Sequence, residues 1–418
     1  MSALKHKVLV VGGGAAGMMA AGMAAKAGAK VVLFEKNDRL GKKLAITGKG
    51  RCNVTNACSC DDVLRNIPRN ARFLYSALSA FTPADAMSFF ETYGCELKVE
   101  RGNRVFPVSD KSGSVIAALQ EFLKKQNVEI QKEKVEEILV RDGAVAGVRT
   151  AQGNYYGRCV ILCTGGCSYP LTGSTGDGYR FSRSLGHTIQ QPRGSLVPME
   201  EDGDWCSRMQ GLALRNVSVK LVNQKKKVVY EDFGELLFTH FGLSGPTILS
   251  ASAHMKETDS YQIRIDLKPA LDEQKLDQRI LRDFEQYQNR TIENALQDLY
   301  PKSLIPVMVE RAGIPVDTQA NSVTKQQRRA LLELTKAFPV SISGLRPVEE
   351  AIITAGGVKI NEVDPKTMES KLVHGLYFAG ELLDVDAYTG GFNLQIAWST
   401  AVAAGRAAGS CKILESEA

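Results

Sequence analysis

Gly12, Gly14 and Gly17 stand at G-x-G-x-x-G spacing directly after the apolar run Val8 to Val11. A second apolar run, Lys30 to Phe34, ends in Glu35, an acid about twenty residues beyond the glycines. Each residue type has a chemical reason to be there. Gly12 permits a tight turn, Gly14 lets backbone approach a pyrophosphate, and Gly17 lets a helix lie close on a sheet. The helix that follows presents free N–H groups and the positive end of its dipole to an anion. Glu35 is placed to accept hydrogen bonds from a ribose. The pattern points to an adenine dinucleotide. Lys26, Lys30 and the clustered glycines interrupt the apolar stretch before it reaches membrane-spanning length.

Two further segments carry chemistry. Between Arg39 and Asn56, the cations Lys42, Lys43 and Arg51 can neutralise a pyrophosphate, while Gly48 and Gly50 allow backbone contact. Cys52 and Asn53 in the same stretch are out of place in a purely solvated loop. Near the other end, an apolar strand at Tyr377 runs into Gly380, Glu381 and Asp384, and Gly391 to Asn393 open an alanine-rich helix. A helix N-terminus there would stabilise negative charge on a bound group. Acid/base candidates are few. His240 lies in the turn-like FTHFGLSGP, and Asp177 in GSTGDG either faces a cofactor or caps a helix beginning near Tyr179. Tyr388 and Cys52 are further pocket candidates. His187 and His254 read as ordinary surface residues.

These groups need elements to position them. The chain alternates strand-like and helix-like segments to about residue 190. Val128 to Gln131, Val135 to Val140 and Ala144 to Thr150 read as strands, with Asp142-Gly143 as a hairpin turn. Arg158 to Cys163 is a buried strand ending in Thr164-Gly165-Gly166, a second place for close backbone approach. Val217 to Val222, Lys227 to Glu231, Glu235 to Thr239 and Gln262 to Leu267 alternate as in an antiparallel, barrel-like insertion. Residues 271–338 become helical. Glu349 to Val358, Leu376 to Ala379 and Leu394 to Gly409 return to the α/β texture. The expected division is therefore 1–190, first part of the dinucleotide domain; 191–270, inserted barrel; 271–338, small helical domain; and 339–418, completion of the dinucleotide domain. The C-terminal ILESEA reads as a solvated tail.

Size and composition agree with this organisation. The 418 residues exceed one ordinary domain, and 44% hydrophobic with 23% charged residues suits a globular chain with a sizeable core. MSALKHKVLV runs straight into the first strand, so no signal peptide is expected and a cytoplasmic location is. The nine cysteines include pairs at 58/60 and 163/167, neither at zinc or dithiol spacing, and no metal site is expected. A net charge of +6 suits an anionic ligand and permits a nucleic-acid partner.

Taken together, VVGGGAAGMMAA, LGKKLAITGKGRCNVTN, GNRVFP, ILCTGGCSYPLTGSTGDGY, LFTHFGLSGPTIL, ITAGGV and FAGELLDVDAYTGGFNLQIAWSTA resemble the HI0933-like flavoproteins from residue 8 to about 405. Members are often labelled aminoacetone oxidase-like or NAD(P)/FAD-dependent oxidoreductases. The resemblance implies an α/β, FAD-binding Rossmann-like fold of the two-dinucleotide-domain type, with an inserted antiparallel β-barrel and a small helical domain. It implies bound FAD, contacted by Gly12, Gly14, Gly17, Glu35, Lys36, Lys43, Arg51 and Asn53. Val135, Thr164, Gly165, Gly380, Glu381, Asp384, Asn393 and Leu394 would contact it too.

Three functional classes follow. One is a flavin-dependent oxidoreductase acting on a small molecule, for which the family label implies an amine such as aminoacetone. Another is a reductase of uridine in ribosomal RNA, an activity also attributed to the family; Arg65, Arg69, Arg72, Lys225 to Lys227, Lys325, Arg328 and Arg329 would serve its phosphates. The last is a flavin-binding protein without turnover. No second G-x-G-x-x-G follows a strand, so a nicotinamide nucleotide acting as reductant would bind transiently or in the insertion.

Overall fold

The computed structural model describes residues 7–255 and 259–411. The ILESEA segment lies outside the described residues. The chain divides into two compact units, 1–195 with 348–418, and 196–347.

The first unit is built on a five-stranded sheet of parallel strands in the order Leu376–Phe378, Cys159–Leu162, Lys7–Val11, Lys30–Phe34, Glu129–Gln131. Val8 to Val11 and Val31 to Phe34 are buried, as a parallel strand covered on both faces requires. Helices Ala15–Lys26, Ser112–Lys125 and Phe392–Gly409 belong to this unit. The first is small-residue rich because neighbours press on it. A Cβ on Gly22 would meet the Phe122 ring at 2.2 Å, and one on Gly17 would meet the Gly12 carbonyl at 1.7 Å. The last helix packs on the first in the same way: a Cβ on Gly405 would lie 2.6 Å from the Ala20 carbonyl, and one on Gly409 would lie 2.6 Å from that of Ala24. Contacts that advance together along both chains mean that the helices run parallel. Their N-termini therefore sit at the same end.

The strand at Val135–Arg141 pairs with Ala144–Thr150 through the Asp142-Gly143 turn, and a strand absent from the sequence reading, Gly153–Tyr156, completes that small sheet. In the second unit six strands close an antiparallel barrel: Met199–Glu201, Gly242–Ser244, Val228–Thr239, Ala213–Asn223, Tyr261–Asp266 and Phe338–Leu345. The segments 227–231 and 235–239, read as two strands, form one of twelve residues. Residues 339–345, read with the C-terminal part, pair with Tyr261–Asp266 and Met199–Glu201 in the barrel. Helices between 273 and 336 share the barrel's apolar core rather than forming their own, with Leu276, Ile280, Leu331 and Leu332 buried against barrel residues. Among the described residues no helix is long and apolar enough to cross a membrane.

Candidate active site

A cleft of about 570 Å³ opens in the first unit where the first and last helices begin. Its floor is the Gly12–Ala16 turn. Gly12 has φ +103°, and a Cβ there would strike the Cys163 carbonyl at 2.5 Å. Around Gly14, by contrast, the space is open to 4 Å. One glycine is demanded by packing and the other by room for a ligand. Glu35 is almost fully buried; one of its oxygens accepts from the Gly13 N–H at 2.7 Å, the other from the Asn37 N–H at 2.7 Å and the Asn37 side chain at 2.8 Å. The acid thus locks the glycine turn to the end of the second strand.

Both helices reach the cleft without a side-chain cap, with Gly14 and Gly391 at their N-cap positions. Four orphan N–H groups at each end are left for a ligand or solvent. Asn393 spends its amide on the backbone of Ala387, donating at 2.7 Å and accepting at 2.9 Å, and so fixes the loop over the last helix. Lys36 lies 2.6 Å from Asp177 and 2.6 Å from Thr175. Lys43 donates to Glu381 at 2.7 Å and to Ser168 at 2.6 Å, while the Thr354 N–H binds the other Glu381 oxygen at 2.8 Å. Buried Thr164 Oγ1 lines the cleft and has no partner among the described residues.

Of the residues singled out in the sequence, Gly12, Gly14, Glu35, Lys36, Lys43, Val135, Thr164, Gly165, Asp177, Gly380, Glu381, Asn393 and Leu394 converge on this cleft. Gly17 serves beneath it, against Gly12. Arg51 does not line it. Its guanidinium pairs with Glu100 and Asp110 and sits 4.2 Å from the centre of the Phe106 ring. Asn53 and Asp384 are also outside the lining; Asn70 binds Asp384, and burial raises the Asp384 pKa against the pull of Arg69. Asp177 begins the helix Asp177–Ser184 without capping it. Burial works to raise its carboxyl, but Lys36 and Thr175 hold it below the ordinary value. Tyr388 is half-buried, its N–H on the Asn66 carbonyl. His240 is exposed in the two-residue turn between barrel strands.

Two surface assignments are corrected. His187 is buried, its Nε2 2.9 Å from the Ser370 hydroxyl and its ring edge-on to Phe378. His254 is half-buried and stacked on Tyr230 at 4.8 Å. Asn37, Ser168, Tyr169 and Thr354 were missed. Ser168 and Tyr169 lie within the quoted ILCTGGCSYPLTGSTGDGY and Thr354 within ITAGGV, but nothing in either segment indicates that Thr354 reaches Glu381 across the fold.

A family model described as the HI0933-like protein Rossmann domain matches residues 6–407. The chain belongs to the HI0933-like family. It is 31% identical over 409 residues to a 3-dehydro-bile acid delta(4,6)-reductase of Clostridium scindens, covering 96% of this chain and 99% of that protein. It is 29% identical over 402 residues to the ribosomal RNA dihydrouridine synthase of Escherichia coli, covering 95% and 96%. A solved 3-ketosteroid delta1-dehydrogenase from Sterolibacterium denitrificans is 14% identical, with a TM-score of 0.51 covering 97% of this chain and 100% of that one, and shares its fold. This HI0933-like protein is an FAD-dependent oxidoreductase. The cleft fits the cofactor: two uncapped helix ends, Lys42 and Lys49 for the phosphates, and the unpaired Thr164 hydroxyl. Bound there, FAD supplies hydride chemistry, and the protein's part is binding, orientation and charge. The amine substrate suggested by the family label has no counterpart among these relatives.

Proposed function

We propose that this oxidoreductase saturates a carbon–carbon double bond conjugated to a carbonyl in a small molecule, with a nicotinamide nucleotide as transient reductant. The observation that carries the reading is the 31% identity to the bile acid reductase over nearly its whole length. A conjugated double bond accepts hydride at the carbon remote from the carbonyl, and a proton then completes the saturation. The electrostatics favour a small substrate. Arg65, Arg69, Arg328 and Arg329, expected to serve RNA phosphates, are paired with Asp62, Asp386, Asp277 and Glu333 at 2.6 to 2.9 Å.

Reduction of uridine in ribosomal RNA is the second reading. The uracil double bond is conjugated in the same sense, the two synthase relatives favour it, and the Lys225 to Lys227 hairpin is exposed. Anaerobic stopped-flow mixing separates the two. FAD-loaded protein, reduced by a nicotinamide nucleotide, is mixed with a 3-oxo-Δ4 steroid or ribosomal RNA, and the visible flavin band is followed. Fast recovery with the steroid and slow recovery with RNA is the expected outcome. The reverse order establishes the RNA reading, and recovery with neither defeats both.

A further inference from the structure

Saturating a conjugated double bond needs a proton as well as a hydride, and most titratable groups of the cleft are already committed. Both Glu35 oxygens accept from the Gly13 and Asn37 backbone. Asp177 is held by Lys36, and Glu381 by Lys43, Ser168 and Thr354. Glu133 takes the hydroxyls of Thr150 and Tyr155. Burial raises the Cys163 thiol far above its ordinary value. Lys42, Lys49 and Lys134 are ammonium groups on a wall suited to phosphates.

Tyr169 is different. It lines the cleft, is half-buried, and its hydroxyl has no hydrogen-bond partner among the described residues. Its backbone is left-handed, with φ 52° and ψ 59°, an unusual and costly conformation for so bulky a residue. The surroundings enforce it. The Thr172 N–H and hydroxyl donate to the Tyr169 carbonyl at 2.9 and 2.7 Å, and the Tyr169 N–H donates to Glu349 at 3.3 Å. Just before it, the N–H groups of Cys167 and Ser168 both donate to Thr354 Oγ1, at 2.8 and 3.1 Å. The backbone that carries the phenol on the cleft wall is thereby fixed, while the phenol's own polar atom stays uncommitted.

Resting on the reading above, we infer that Tyr169 is the catalytic acid that protonates the substrate carbon next to the carbonyl. In this step the π bond breaks and two C–H bonds form. The remote carbon receives hydride with its electron pair from the reduced cofactor, and the nearer carbon receives the phenolic proton. Solvent then reprotonates the phenolate, and a nicotinamide nucleotide restores the two electrons.

Tyr169→Phe keeps the ring and the backbone while removing the proton. With the FAD-loaded variant, reduction by the nicotinamide nucleotide is expected within about twofold of wild type, and reoxidation by the enone slower by about 100-fold. The solvent deuterium effect on wild-type reoxidation is expected to disappear with it. A second readout is independent of turnover: nitration of Tyr169 by tetranitromethane, mapped by mass spectrometry, should fall when FAD and the saturated ketone are bound. An active wild type with an equally fast Tyr169→Phe variant, or nitration indifferent to both ligands, overturns the assignment while leaving the enone reading standing. A wild type that reduces no enone overturns the reading and the assignment together.

Discussion

His187 shows how a single residue's chemistry depends on where the fold puts it. In sequence it follows Gly186 in a polar stretch and reads as surface. In the structure its ring is enclosed by Phe378, Ser370 and Glu362. Burial lowers its pKa below the ordinary 6.5, and the Glu362 carboxylate, 3.3 Å from Nδ1, offsets this only in part. The unfolded chain therefore binds the proton more readily than the folded one. Stability is full above the unfolded value and falls as pH drops below about 6.5 toward the folded one, with a limiting slope of about 1.4 kcal/mol per pH unit for one proton. Thermal melts of wild type should lose midpoint between pH 7 and pH 5.5, and His187→Gln should flatten that loss while lowering the midpoint at pH 7. Equal slopes for the two proteins would show that other groups carry the acid sensitivity.

At the scale of elements, the cleft exists because two helices run parallel with their ends together, and glycines set that distance. Alanine in place of a helical glycine ordinarily stabilises by about 1 kcal/mol. At Gly405 the added Cβ would sit 2.6 Å from the Ala20 carbonyl, which belongs to rigid backbone. Overpacking costs about 1–3 kcal/mol, so the net sign is destabilising. Gly405→Ala should lower the melting temperature and weaken FAD binding measured by titration of the apoprotein, since moving one helix moves its anion-facing end. The same contrast explains what the sequence made legible. The Gly12–Gly17 turn and Glu35 were readable because local backbone demands dictate their types. Arg51 lies outside the cleft lining because Glu100, at the end of the strand Leu97–Glu100, and Asp110, in the turn before Ser112–Lys125, hold it, and local sequence does not show partners 49 and 59 residues away. Phe338–Leu345 alternates like any half-buried strand, and only pairing with Tyr261–Asp266 assigns it to the barrel. Gly234 and the acids around it look like a break in Val228–Thr239, and the pairing with Ala213–Asn223 does shift register between Gly234 and Leu236, yet the strand continues on both sides of the shift.

For the whole molecule, the question is whether its net positive charge is a binding surface or a balance of internal pairs. A net charge of +6 on 418 residues is modest, and several arginines are already neutralised by carboxylates within hydrogen-bond reach. A protein that grips RNA through many phosphates loses roughly 10³-fold or more in affinity between about 0.05 and 0.2 M salt. A neutral enone releases no counterions on binding, so nothing comparable opposes it. The cofactor's phosphates do not confuse the comparison if the protein is loaded and reduced beforehand, because salt then acts only on the substrate step. The reoxidation rate at subsaturating steroid should therefore change by less than about twofold over that salt range. If the steroid rate instead falls steeply, substrate capture runs through exposed cations such as Arg72 and Lys225 to Lys227, and a polyanionic substrate becomes the better account of this surface.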